Sequence, residues 1–200
     1  MSNTKHSKHH SKNGQLKFVH KNYARGAHGK IAVVKRRSDG KLIIWKRPRS
    51  SSYVHQESFR QEIKLSKYWR KFGISRVKVC WHKDKQSLLK TYIKGPTLKQ
   101  MLRRGNLHFS KPNSRPVKAL GELVELLIGC GHYIQDVNRQ NLVFDGKKWH
   151  LVDSSAIHGK DSRSEIRQKY KETFLRSWSK SIDSNEEMNS LKSFLNRYCH

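Results

Sequence analysis

The chain has 200 residues, 34% of them apolar, and its 43 Lys and Arg against 15 Asp and Glu give a formal charge of +28. That length fits one domain, or one fold of two small lobes around a cleft. Its longest apolar runs, such as residues 123–128, fall far short of a bilayer span, and no apolar signal-peptide core follows the basic start.

Three cysteines without a close pair exclude a disulfide scaffold. The positive charge favours polyanionic partners such as nucleic acid, nucleotides, anionic lipid or acidic protein. It is spread along the whole chain, so it describes the surface and not a site.

Residues 1–15 are polar, basic and rich in histidine without hydrophobic periodicity, which predicts a disordered tail. No acid occurs before Asp39, and a Ser-rich, acid-poor start also suits an export address. From Leu16 the pattern changes. Leu16 and Phe18 alternate with polar residues, residues 24–30 interrupt, and two β-branched runs then flank Ser38-Asp39-Gly40, which reads as a hairpin. Phe59, Ile63, Leu65, Trp69 and Phe72 recur at helical spacing between about Ser50 and Gly73. Residues 77–82 and 87–93 read as two further strands.

After Gly95-Pro96 the pattern turns helical. Residues 97–102 form a short helix, and Val117, Leu120, Val124, Leu127 and Ile128 stripe a longer one with Pro116 in its first turn. Two short apolar strands, 141–144 and 149–152, are joined by Asp145-Gly146. Two amphipathic helices follow, striped by Ile166, Tyr170, Phe174 and Trp178 and by Met188, Leu191, Leu195 and Tyr198. Ser162 with Glu165, and Ser184 with Glu187, have capping-box spacing. The predicted class is α+β, a β-rich half with one helix followed by a helical half with a small hairpin.

Several residues carry possible chemistry. Gly26-Ala27-His28-Gly29 sits between predicted strands, where glycines let backbone amides approach phosphate oxygens. Lys46 lies in an apolar strand, where an ammonium needs a partner. Of Glu57 and Glu62, Glu62 is better placed to provide one, because it adjoins the stripe residue Ile63. Asp136, Asn141 and Asp153 then follow around the second pair of strands. Asn141 and Asp153 offer the hard oxygens that Mg²⁺ takes from few side chains. Asp136 can accept or orient a hydroxyl that attacks a γ-phosphate.

Over residues 16–157 this order resembles the protein-kinase fold. Residues 24–31 match the kinase glycine loop with only its first glycine lost, and residues 88–98 resemble the hinge. The resemblance implies a minimal bilobal fold, with a small lobe and hinge over 16–93 and a truncated helical lobe over 94–200. It implies ATP and Mg²⁺ as cofactors. Gly26, His28, Gly29, Ile31 and Lys46 would then hold the nucleotide phosphates, and the backbone near Thr91, Tyr92 and Ile93 the adenine edge. Lys46, Glu62 and Asp136 would be catalytic, and Asn141 and Asp153 metal ligands.

Small size, strong charge and the acid-poor start further resemble the HopBF family of type III effectors from plant-associated bacteria. These are minimal kinases that phosphorylate and inactivate the eukaryotic chaperone heat shock protein 90. That likeness implies a monomeric Ser/Thr protein kinase, secreted by a bacterium into the host cytoplasm, with the chaperone as substrate.

The departures from the kinase pattern also carry expectations. Ile134-Gln135 replaces the His-Arg before the catalytic aspartate, so activity should not need a phosphorylated activation segment. Ser154-Ser155 replaces Phe-Gly after the metal aspartate, Asn138 stands where a lysine is common, and no Ala-Pro-Glu follows. Arg139 is the nearest replacement for that lysine.

Three other readings compete: a nucleotide-binding pseudokinase, a kinase of a small anionic molecule, and a basic RNA-binding protein. A pseudokinase would have lost the lysine or a metal ligand, and both are kept. An RNA binder would interleave aromatics with arginines on a sheet face, whereas these Trp and Phe fall at core-type positions. The Cys and His neighbours at 80–82, 130–132 and 199–200 lack the paired spacing of a zinc site, and Cys80 and Cys130 read as small core residues.

Overall fold

The apolar alternation that begins at Leu16 becomes an antiparallel sheet. The computed structural model describes residues 16–18, 24–26, 29–48, 53–154 and 156–200; the expected tail, residues 1–15, and His28 of the glycine turn lie outside them. Strands β1 (Leu16–Phe18) and β2 (Ala24–Gly26) both pair with β3 (Gly29–Arg36). Next to β3 comes β4 (Leu42–Pro48), and β6 (Leu88–Thr91) lies between β4 and β5 (Val79–Trp81). Ala24–Gly26, expected to interrupt the sheet, is therefore a strand. Its pairing with β3, ending at Gly26 opposite Gly29, overrides a sequence with little strand propensity. The expected turn after β3 is present, with Gly40 at φ 68° and its amide donating to the Arg36 carbonyl.

Helix α1 (Tyr53–Lys71) buries Phe59, Glu62, Leu65, Ser66 and Trp69 along one face, and Gly73 at φ 71° follows its end. Ile63, expected in the apolar stripe, is only partly buried, and Glu62 takes the buried position beside it. Cys80, expected in the core, is exposed on β5, while Cys130 is buried and donates to the Leu127 carbonyl.

The second half holds α2 (Leu98–Arg103), α3 (Arg115–Gly129), α4 (Arg163–Trp178) and α5 (Asn185–Tyr198). The expected hairpin is β8 (Leu142–Phe144) with β9 (Trp149–Leu151). A second pair, β7 (His132–Ile134) with β10 (Ile157–Lys160), has no alternation long enough to be read from sequence. Ile166, Tyr170, Phe174 and Trp178 of α4 are all fully buried, and the last two rings stack with centroids 4.3 Å apart. Each such ring contributes roughly 1.5–3 kcal/mol of apolar burial.

The Ser162–Glu165 capping box is complete, whereas the second is half formed. The Ser184 hydroxyl caps the Glu187 amide, but the Glu187 carboxylate accepts from the Phe109 amide and the Ser110 hydroxyl instead. Local capping has given way to a bond that ties α5 to the segment before α3. Among the described residues the architecture is mixed α+β, with antiparallel sheets and five α-helices. No helix among them is long and apolar enough to cross a membrane.

The two halves join just after β6. The Phe144 amide donates to the Pro96 carbonyl at 3.0 Å, and Thr97 bridges to Val143. Gly95, at φ 154°, lies so close to β8 that a Cβ would stand 1.9 Å from the Phe144 carbonyl oxygen. Gly95→Ala is therefore expected to cost about 3 kcal/mol or more in urea denaturation. A loss below about 1 kcal/mol would show that the junction can shift to make room.

Candidate active site

The site begins with a lysine that the sheet points inward. Lys46 pairs with Ile31 of β3 on one side and Leu88 of β6 on the other, deep within the sheet. Its ammonium donates to Glu62 Oε2 at 2.6 Å and lies 5.7 Å from the centroid of the Phe59 ring. The expected Lys46–Glu62 contact is thus present, and it is not alone. Lys90 of β6 donates to the other oxygen, Glu62 Oε1, also at 2.6 Å. Lys46 lies 3.6 Å from Asp153 Oδ2, and Lys90 lies 3.6 Å from Asp153 Oδ1. Two lysines and two carboxylates close a ring, with one oxygen of each carboxylate for each ammonium.

Burial alone would make every member of this ring expensive to charge. For Glu62 burial pushes the carboxyl pKa up, but Lys90 and Lys46 outweigh it and hold the group below its ordinary value. For Lys46 burial pushes the ammonium pKa down, and Glu62 and Asp153 outweigh it and raise it. Glu62 and Lys46 are therefore both charged at neutral pH. Asp153 is its open side, with 37% of its side chain exposed against 8% or less for the other three.

The remaining candidates sit on the loop between β7 and β8. The Tyr170 hydroxyl accepts from the Ile134 amide at 2.9 Å, and the Gln135 amide donates to the Ala156 carbonyl, so both strand and helix hold the start of this loop. Asp136 then adopts φ 61°, a left-handed conformation that Asp tolerates better than most residues. Its carbonyl accepts from the Asn138 amide at 2.7 Å and from Asn141 Nδ2 at 2.9 Å. The Val152 amide in turn donates to the Asn141 carbonyl at 2.8 Å, which brings Asp153 to Asn141. Because Asn141 commits its amide nitrogen to Asp136, its Oδ1 is the atom left for a ligand. With Asp153 it forms a set of hard oxygens, the chemistry that fits Mg²⁺ when phosphates and water complete the shell.

Gly26 and Gly29 close β2 onto β3, and Ile31 stands beside Lys46 in register. Of the three residues expected at an adenine edge, Thr91 has its amide engaged with the Lys78 carbonyl at 3.0 Å. Arg139 is pinned to α4, its backbone amide on the Ser177 hydroxyl and its guanidinium on the Ser177 carbonyl. Lys90 is the member of the ring that the sequence reading missed. Its signal, a lysine within the apolar strand LLKT, is the same one that marked Lys46.

No protein-family model matches the chain, and no curated protein matches it at a significant level of similarity. The charge ring makes a thermodynamic prediction of its own. Glu62→Gln is expected to cost about 3–5 kcal/mol at neutral pH, because it leaves two buried ammonium groups short of a charge. The wild-type advantage is full above the ordinary carboxyl value of 4.5 and is lost as pH falls through the lower folded value. Urea denaturation at neutral and acidic pH should thus show the gap narrowing on acidification. A gap that does not change would mean that the carboxylate charge is not what the variant removes.

Proposed function

We propose that this chain is a minimal protein-kinase-like enzyme that moves the γ-phosphate of ATP to a Ser or Thr hydroxyl of a protein. The observation that carries this reading is one connected group. Contacts run from Asp136 through Asn141 and Val152 to Asp153, and from Asp153 to Lys46 and Glu62. Of the five residues singled out in the sequence, Lys46, Glu62 and Asp153 are joined through their side chains, and Asp136 and Asn141 are linked to them through the backbone. In this reading residues 16–93 are the small lobe and hinge of a bilobal fold, and residues 94–200 its reduced helical lobe.

The Gly26–Gly29 turn and Lys46 hold the triphosphate, and Glu62 fixes the direction of the Lys46 ammonium. Asn141 and Asp153 would hold Mg²⁺, which supplies neutralisation of charge on the phosphate oxygens. Asp136 takes the proton of the acceptor hydroxyl as that oxygen bonds to the γ-phosphorus. The bond from this phosphorus to the bridging oxygen breaks, and ADP leaves. Most of the rate enhancement then comes from positioning and from fixed charges. The two hydrogen bonds that hold the Asp136 carbonyl keep its backbone in the left-handed conformation that aims the carboxylate.

A cavity of about 480 Å³ beside Asp136 is lined by Arg139, Arg176 and Lys180 among others, which suits an acceptor segment carrying acidic residues. The overall charge of +28 points the same way. The resemblance to HopBF effectors extends the proposal to a host protein substrate, heat shock protein 90, reached by type III secretion and inactivated by phosphorylation.

Transfer of labelled γ-phosphate from Mg-ATP into a eukaryotic lysate tests this reading. A band that co-migrates with purified heat shock protein 90 is expected, and Asp153→Ala is expected to weaken it at least about a hundredfold. Equal labelling by both proteins would sink the assignment. Because Gln135 stands where the coupling arginine of regulated kinases would be, phosphatase-treated protein should be fully active. Strict dependence on an upstream kinase would contradict that expectation.

A further inference from the structure

Lys90 has no part in the mechanism above, yet it stands to both carboxylates as Lys46 does. Each ammonium is 2.6 Å from one Glu62 oxygen and 3.6 Å from one Asp153 oxygen. Lys46 faces Leu88 across the β4–β6 ladder and Lys90 faces Ile44, so the two lysines occupy diagonal positions on one face of adjacent strands. Both are buried, Lys46 at 6% and Lys90 at 5% exposure.

Glu62 can neutralise only one of these two charges. The second ammonium depends on Asp153, the exposed member of the ring and the one that a metal would claim. The Asp153 contacts at 3.6 Å are looser than the 2.6 Å contacts of Glu62; once Asp153 turns out to solvent, with or without a metal, two buried lysines share one glutamate and a positive charge is left over. A surplus buried cation is costly unless an anion arrives to meet it. The anion would enter where Asp153 now stands, because the other three members are closed off.

We propose that Lys90 is a second phosphate-binding lysine, which with Lys46 lets the site hold a nucleoside triphosphate without a divalent cation. The inference rests on the kinase reading of the site. A metal ordinarily offsets the triphosphate charge; here the surplus lysine supplies part of that offset from the protein. In the metal-bound state Lys90 stays on Glu62, so its removal weakens binding most when the metal is absent.

Calorimetric titration of the full chain with ATP, in Mg²⁺ and again in EDTA, tests the inference. Wild type is expected to bind in EDTA within about tenfold of its affinity in Mg²⁺. For Lys90→Met, removal of the metal should weaken binding at least about tenfold more than it does for wild type, the size of one lost charge-assisted contact. An equal loss on metal removal in both proteins would overturn the inference and leave Lys90 as a structural counter-ion. Should Lys90→Met fail to fold, Asp153→Asn carries the test, because it releases both lysines. Its ATP affinity in EDTA is expected to exceed wild type at least about threefold, and an affinity at or below wild type would overturn the inference. Failure of wild type to bind ATP even in Mg²⁺ would remove the kinase reading itself.

Discussion

Glu62 lies on the buried face of α1, between Phe59 and Leu65, where a carboxylate is tolerated only if its charge is met. The two lysines that meet it come from β4 and β6, and Asp153, just beyond β9, closes the ring. This one electrostatic constraint links the sheet, the helix packed on it and the second half of the molecule. The helix cannot rotate, nor the sheet slip by one residue, without exposing a buried charge that has lost its partner. Removing one partner of such a pair typically costs about 3–5 kcal/mol, so the ring specifies the arrangement whatever its net contribution to stability.

The second half turns that fixed edge into a site. Apolar packing holds α4, whose Tyr170 hydroxyl reaches back to Ile134, and Asp136 follows two residues later in a strained conformation. Asn141 bonds the Asp136 carbonyl with its side chain and the Val152 amide with its backbone, so it joins the loop to the strand that delivers Asp153. Strain of this kind persists only where neighbouring groups enforce it, and here they are identifiable. Gly95 completes the arrangement by letting the chain after β6 lie against the Phe144 carbonyl.

Much of this was legible in the sequence, for reasons that differ by element. The α4 stripe could be read because every fourth residue is large and apolar, and all four are buried. Lys46 and Glu62 could be read because a charged residue inside or beside an apolar pattern demands a partner. Lys90 carried the same signal and was missed because a single lysine was sufficient explanation for Glu62. The β7–β10 pair was invisible: its strands are too short to show alternation and are held by long-range contacts. Glu187 misled for a related reason, since its spacing promised a capping box and a tertiary bond to Phe109 took its carboxylate. Local rules failed where a contact distant in sequence competed for the same atom.

The ring is charge-balanced as it stands, with Asp153 held between two ammonium groups. Under the proposed function, binding a nucleotide and a metal has to exchange one set of ion pairs for another. A crystal structure with Mg²⁺ and a non-hydrolysable ATP analogue addresses this exchange directly. The account predicts the metal on Asn141 and Asp153, the triphosphate against Lys46, and Asp153 drawn away from the lysines. Nucleotide bound elsewhere, with Asp153 still bridging Lys46 and Lys90, would contradict it.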